Sequence, residues 1–241
     1  MSLSETYFTA PNDDVGYHLL VLLRMIFLLS FIILIIDNNN KDEPYTIYFY
    51  RKCVIILLIL AFIFSFIAVC FNGYHIMSVT WICAGLTQSM ILLLNASVIY
   101  FLNSSLKKKT SKLLSVGIIF AAIIIPLLEA LFIVDGRHTK MLYYICSAVV
   151  SIYTLYLLNE LYQACKSKGV NVVILKKLIR LECIVCVFTI TILLSKLFWP
   201  LGYYNTSRSP FQWLIRFGRF GFSLIKIFII IVYLDNSGNQ H

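Results

Sequence analysis

Charged side chains are scarce in this chain. They make up 13% of its 241 residues, against 60% hydrophobic residues, whereas a soluble domain carries about 25% charged residues. A water-soluble core of this size has no room for so much apolar surface, so the composition excludes an ordinary soluble domain. The formal net charge is +9, but the basic residues stand in short loops between apolar runs, which argues against a nucleic-acid binder.

Motifs of catalysis and of metal binding are also missing. The sequence has no glycine-rich phosphate loop, no Gly-x-Ser-x-Gly motif, no histidine pair at ligand spacing and no acid pair placed for acid–base work. The Cys183–Cys186 spacing is weak support for a metal on an apolar helix. Cys70 and Cys83 form either a disulfide or two reduced thiols. We therefore predict no enzyme, no catalytic residue, no metal and no cofactor.

Residues 1–16 contain no Lys or Arg. A cleaved signal peptide needs a basic segment before its apolar core, so we predict that the first apolar run is retained. Seven such runs are about twenty residues long, the length with which a helix crosses ~30 Å of hydrocarbon. They are residues 17–36, 53–71, 79–102, 113–134, 141–162, 181–199 and 211–234. The sequence predicts an all-α polytopic membrane protein, with residues 1–241 as a single domain of seven transmembrane helices.

Lysines that follow the run 81–102 set the orientation, because a basic cluster just beyond a span marks the cytoplasmic side. Twelve basic residues then stand in inner loops: Lys41, Arg51, Lys52, Lys107, Lys108, Lys109, Lys112, Lys166, Lys168, Lys176, Lys177 and Arg180. Three stand in outer loops: Arg137, Lys140 and Arg208. This asymmetry predicts an outer or lumenal N-terminus and a cytoplasmic C-terminus.

Intramembrane charges are the first candidates for function, because a charge near the centre of a membrane helix costs roughly 2.5–3.5 kcal/mol on insertion scales. Arg24 and Glu129 have similar predicted depth, and either pair with each other or reach toward water and headgroups. Lys226 is the deepest charge. It pairs with Glu160 or Glu182, or extends to the cytoplasmic headgroups. A retinal Schiff base at Lys226 is disfavoured, because the third span has no acid to serve as counter-ion.

Polar residues run along the third span. Gln88, Asn95 and Ser97 need partners in lipid, so this helix is predicted to lie inside the bundle or to face a membrane segment of another protein. We assign these three residues as candidate client-binding residues. Small-residue pairs that let helices approach closely lie at Gly85 and Ser89, Gly117 and Ala121, and Ser147 and Ser151.

The last span begins with arginines and glycines close together. Arg216, Gly218, Arg219 and Gly221 lie within two helical turns. Such a basic, small-residue stretch is suited either to a lipid headgroup or to close packing on a neighbouring helix. Packing is the favoured interpretation.

The order of these parts resembles the fungal chitin synthase export chaperones. The similar features are the acidic-then-aromatic stretch from Glu43 to Tyr50, the small residues Cys83-Ala84-Gly85 in the third span, a short basic loop before the fourth span, and a last span closing on Val232-Tyr233-Leu234-Asp235. The family's Asp-Gly-Thr stretch after the third span is replaced here by Asn103-Ser104-Ser105. The resemblance implies a seven-span protein of the endoplasmic reticulum that helps a chitin synthase subunit fold and leave, in service of cell wall biogenesis.

The predicted function is a non-catalytic, multi-pass membrane chaperone or trafficking factor. Its partners would be the lipid bilayer and a polytopic client such as chitin synthase, its location the endoplasmic reticulum membrane. Two alternatives stay open. A seven-transmembrane receptor would be expected to carry an acid–arginine pair after the third span and Asn-Pro-x-x-Tyr in the last, and neither is present. A small membrane transporter would be expected to have matched broken helices in its two halves.

Overall fold

The computed structural model describes residues 15–37, 45–73, 77–108, 112–131, 136–169, 172–198 and 210–238. Across these ranges the chain forms seven α-helices and no strand. They are α1 (Val15–Asp37), α2 (Tyr45–Gly73), α3 (Met77–Ser105), α4 (Lys112–Leu131), α5 (Gly136–Ser167), α6 (Val173–Phe198) and α7 (Pro210–Gly238). The all-α prediction is confirmed for this part of the chain, and each predicted span overlaps one helix.

The helices extend further than the apolar runs on which they were predicted. Arg51 and Lys52 were assigned to a loop, and this is wrong, because both lie in α2. Arg51 is only 2% exposed. Helix α6 likewise begins at Val173, eight residues before its predicted span. A prediction from hydropathy ends a span at the first charged residue. The helix itself continues, because the aliphatic part of a long basic side chain can lie along apolar surface.

Three of the helices contain described stretches that are long and apolar enough to cross a bilayer. These stretches are Tyr48–Cys70, Ile82–Ser105 and Leu142–Ser167, with mean hydropathies of 3.2, 1.7 and 1.4. At 1.5 Å per residue, each of them exceeds the ~30 Å of a hydrocarbon core. The chain therefore has the character of a membrane protein.

Helix α3 stands at the centre of the bundle. It contacts α2, α4, α5 and α7, while α6 packs on α5 and α7, and α1 packs on α2 and α7. Its buried side chains include Leu92, Val98 and Ile99. Of the two predictions for the third span, the position inside the bundle is confirmed, and a contact with a membrane segment of another protein stays a prediction.

Hydroxyl side chains inside the helices satisfy themselves locally. Thr87, Ser89, Thr154 and Thr189 are buried, and each donates to the backbone carbonyl four residues before it, at 2.7–3.0 Å. This pattern lets a polar residue sit in an apolar bundle without an unpaired donor. The Thr87 hydroxyl oxygen also lies 3.4 Å from the hydroxyl oxygen of Ser65. This contact joins α3 to α2.

Side-chain contacts fix the relative directions of the helices. Lys108, just after α3, meets Glu160 near the end of α5, and Tyr143 near the start of α5 meets Arg219 in the first half of α7. Helices α3, α5 and α7 therefore run the same way. This is the alternation that short connections between neighbouring helices require.

Large apolar side chains cover much of the outside of the bundle. They face outward on α4, where Val116 is 64% exposed, and on most other helices. Most of the buried residues are apolar as well, but the core also contains the polar or charged residues Arg51, Asn103, Glu182, Arg219 and Lys226. A water-soluble domain usually exposes its charges, so apolar outer faces around a few buried charges fit a bundle that lipid solvates.

Candidate functional site: the polar interior of the bundle

Lys226 is the focus of the buried polar groups. It is 1% exposed and lies near the middle of α7. Its Nζ donates to Oε2 of Glu182 on α6 at 2.6 Å and to Oδ1 of Asn95 on α3 at 3.3 Å. The predicted pairing with a glutamate is confirmed for Glu182, which itself is 0% exposed. The alternatives, Glu160 and the headgroups, are wrong, because the ammonium group is directed into the bundle.

The ion pair joins three helices at one level. Removing both charges from water costs several kcal/mol per ion in a protein interior, and their attraction with added hydrogen bonds offsets that cost. A pair of this kind contributes little more to the free energy of unfolding than an apolar pair of the same size. It strongly disfavours any arrangement in which only one partner is buried. The pair therefore holds α3, α6 and α7 in one register.

Asn95 orients the pair from the side of α3. Its Nδ2 donates to the backbone oxygen of Ile91 at 2.9 Å, which leaves Oδ1 to face Lys226. Of the other two residues assigned to a client, Ser97 donates to the backbone oxygen of Leu94 at 2.7 Å, and Gln88 lies two helical turns before Asn95 on the same helix. The structure thus brings Asn95 to Lys226, and the client-binding role of all three residues stays a prediction.

Some buried polar atoms on these helices have no hydrogen-bond partner among the described residues. They include Oε1 of Glu182, Oγ of Ser223 and Oε1 of Gln88. Ser223 lies one turn before Lys226 on α7, so the interior stripe of α7 carries both a cation and a free hydroxyl. Buried polar groups are nearly always paired in native structures, so each unpaired one needs an explanation, such as a functional role.

A second cation lies two turns earlier on the same stripe of α7. Arg219 is 7% exposed, and its Nη2 donates to the Tyr143 hydroxyl at 2.6 Å and to the Ser147 hydroxyl at 3.5 Å. Its Cζ lies 5.0 Å and 5.2 Å from the ring centroids of Tyr143 and Tyr144, within the range of a cation–π contact. At the neighbouring Gly218, a Cβ atom would lie 3.0 Å from a carbon of the Phe188 ring. Helices α6 and α7 therefore approach closely here.

Arg24 and Glu129 are the other two predicted intramembrane charges. Arg24 on α1 lies with its Cζ 5.3 Å from the Phe220 ring centroid. The Glu129 side chain lies outside the described residues, so the predicted contact between Arg24 and Glu129 stays a prediction.

A second ion pair lies near the C-terminal end of α5, outside the buried interior. Nζ of Lys108 donates to both carboxylate oxygens of Glu160, at 2.8 Å and 2.6 Å, and the Tyr156 hydroxyl donates to the same carboxylate at 2.7 Å. The hydrogen bond with Glu160 raises the pKa of Lys108 above its usual value. This exposed pair fastens the turn after α3 to α5.

Neither a metal centre nor a disulfide is present among the described residues. No group of three metal-ligating side chains occurs in this part of the chain. Cys70 and Cys83 are separate thiols, which decides between the two alternatives, and Cys183 and Cys186 are free as well.

An apolar groove runs along the outside of the bundle between α3 and α4. It has a volume of about 520 Å³. It is lined by Ile82, Leu86, Met90 and Leu93 of α3, and by Ile119, Ala122, Ile123 and Leu127 of α4. The α3 wall is twelve residues long, from Ile82 to Leu93, or about 16 Å at 1.5 Å per residue. The groove is thus parallel to the helices and offers no polar group.

Sequence patterns predicted Glu182 as one of two partners of Lys226, but they did not point to Tyr143 or Ser147 as partners of Arg219. The available signal was spacing: Arg219 and Lys226 are seven residues apart, and Tyr143 and Ser147 are four apart, so each pair lies on one helical face. What the spacing could not give was which faces turn toward each other, since that depends on the packing of α5, α6 and α7.

Fold and core together define the class: an all-helical bundle with apolar outer faces and a few buried charges, which has the character of a membrane protein. Comparison with protein-family models, with curated proteins and with solved structures finds no match to this chain in any of the three.

Proposed function

We propose that all seven helices cross a membrane, with the N-terminus on the outer or lumenal side, and that the chain is a non-catalytic chaperone or trafficking factor for a polytopic client. The endoplasmic reticulum membrane is the proposed location, and the resemblance noted above suggests chitin synthase as the client. The observation that carries the proposal is the apolar groove between α3 and α4. The many exposed apolar side chains, together with the few charges buried in the core, support placing the bundle in lipid.

The proposed occupant of the groove is one transmembrane helix of the client. The groove is elongated along the bundle helices, so it matches a rod that crosses the membrane in the same direction. Its lining is wholly apolar, and it includes the small residue Ala122. Small residues at such positions let a second helix approach closely, and van der Waals packing of this kind drives helix association in lipid.

Filling the groove should weaken client capture. Ala122→Phe adds a ring at the floor of the groove, where Ala122 is 8% exposed. Overpacking of this size costs about 1–3 kcal/mol, which corresponds to a roughly fivefold to 150-fold loss of affinity when it falls on the contact with the client. The measurement is affinity capture of the tagged chain in mild detergent, with the partner quantified by mass spectrometry. The wild type is expected to bring down one polytopic membrane protein in near-equal amount.

Val116→Phe is the matched control. It adds the same ring to the same helix, at a position that is 64% exposed and does not line the groove, so capture should be unchanged. Equal capture by Ala122→Phe and wild type would remove the groove from the proposal. Capture of a G protein in place of a polytopic client would favour a receptor and overturn the chaperone role.

A small membrane transporter is the second candidate, favoured by one specific observation. Ionisable residues inside a membrane bundle mark ion and substrate pathways in many proteins, and Lys226, Glu182 and Arg219 are such residues here. Uptake or efflux by reconstituted vesicles, together with the absence of any stoichiometric partner, would support transport over the chaperone role.

A further inference from the structure

Arg219 is a buried cation surrounded by uncharged groups. Within the described ranges its hydrogen bonds go to two hydroxyls, on Tyr143 and Ser147, and its guanidinium lies against the rings of Tyr143 and Tyr144. A guanidinium stays protonated at any physiological pH. The cluster therefore keeps a full positive charge that none of the described carboxylates neutralises.

Lys226 provides the contrast on the same helix. Its ammonium group lies 2.6 Å from a carboxylate oxygen of Glu182, so that site is close to neutral. Arg219, two turns earlier, has neutral contacts instead. An unneutralised charge is the costlier arrangement in a low-dielectric interior, and a bound anion would remove that cost.

The hydroxyls around Arg219 add donors to the same place. Tyr143 and Ser147 both accept a hydrogen bond from Nη2, so the hydrogen of each hydroxyl must point away from the guanidinium. In the part of the chain that the structure describes, no acceptor receives either hydrogen. Both residues are more than nine-tenths buried, and buried donors are nearly always paired.

We propose that Arg219, Tyr143 and Ser147 form a binding site for a phosphate-type oxyanion. Such an anion presents several acceptor oxygens, to which the remaining guanidinium N–H groups and the two hydroxyl hydrogens donate together. Tyr144 supports the cation through its ring and takes no part in hydrogen bonding to the anion. The ligand is either the headgroup of an anionic lipid or a free phosphate, and the site is independent of the chaperone role.

The test uses the purified full-length chain with two probes. One is radiolabelled inorganic phosphate added to the protein in a neutral detergent. The other is phosphatidic acid in phosphatidylcholine nanodiscs, with retention measured by native mass spectrometry. The wild type is expected to bind at least one of them, and binding of phosphate alone identifies a solute site, whereas binding of phosphatidic acid alone identifies a lipid site.

Variants separate this site from unspecific attraction to a basic protein. Arg219→Gln should weaken binding by about tenfold or more, because charged donors make the stronger hydrogen bonds. Tyr143→Phe keeps the ring against the guanidinium and removes one donor, so it should weaken binding less while preserving the fold. Lys108→Gln removes an exposed cation and should leave binding unchanged.

Two results would overturn the proposal. In the first, the wild type binds neither probe. In the second, Tyr143→Phe and any folded Arg219→Gln protein bind as tightly as the wild type. Glu129→Gln tests the competing arrangement, in which the Glu129 carboxylate is the counter-ion of Arg219. If phosphate binds to this variant and not to the wild type, the native site is already filled from within the chain.

Discussion

Replacement of Lys226 by Met is expected to lower the free energy of unfolding by about 3–5 kcal/mol, the usual effect of removing one partner from a buried ion pair. The side chains have similar length, so the cost comes from the Glu182 carboxylate, which is left 0% exposed without its cation. Its Oε1 already lacks a partner among the described residues. Unfolding of the purified protein in mixed micelles, followed by far-ultraviolet circular dichroism during titration with sodium dodecyl sulfate, measures the change.

The chain contains its own matched control for this prediction. Lys108 and Glu160 form a second lysine–glutamate pair with the same 2.6 Å contact, but their side chains are 49% and 28% exposed. Lys108→Met should therefore change the unfolding free energy far less than Lys226→Met, because exposed ion pairs contribute little. Equal effects at the two positions would mean that burial is not what makes the interior pair important.

The double variant Lys226→Met, Glu182→Gln tests the cause directly. Buried ion pairs can be replaced by uncharged groups of similar volume with little loss, so the second substitution should restore most of the stability lost with the first. If the double variant is as unstable as Lys226→Met alone, packing of the Lys226 stem and not the stranded charge explains the loss.

The interior pair also shows how far depth can be predicted along a helix. Counting residues from the end of a span gives a depth, and on that basis Lys226 had two glutamates within reach. Depth does not give rotation, and only the packing of α6 against α7 decides that Glu182 faces Lys226 while Glu160 turns outward to Lys108. The partner on α3, Asn95, was identified as a polar residue in need of a partner, but its partner was sought outside the chain.

Helix existence was the most predictable feature and helix ends were the least. Runs of about twenty apolar residues leave the backbone no alternative to internal hydrogen bonding in lipid, so all seven helices could be found from the sequence. The ends of α2 and α6 could not, because Arg51 and Lys177 look like loop residues in a hydropathy plot. In the fold they continue a helix, one buried and one exposed.

Topology is the remaining prediction with an all-or-none outcome. Glycosylation acceptor tags at the two chain ends, in an Asn205→Gln background that removes the Asn205-Thr206-Ser207 sequon of the predicted outer loop, are expected to be modified at the N-terminus and unmodified at the C-terminus. The physical reason is that seven crossings are an odd number and that the basic loops stay on the cytoplasmic side. Expression in microsomes and the shift on gel electrophoresis measure the modification.

The contacts among α3, α5 and α7 make this prediction stricter than one about the chain ends. Because Lys108 meets Glu160 and Arg219 meets Tyr143, the ends of α3, α5 and α7 must share one face of the bundle. A tag inserted after Lys109 should therefore be in the same state as the C-terminal tag, whichever way the N-terminus faces. Modification of one of these two tags without the other would contradict the helix directions, and modification of both chain ends would contradict seven crossings.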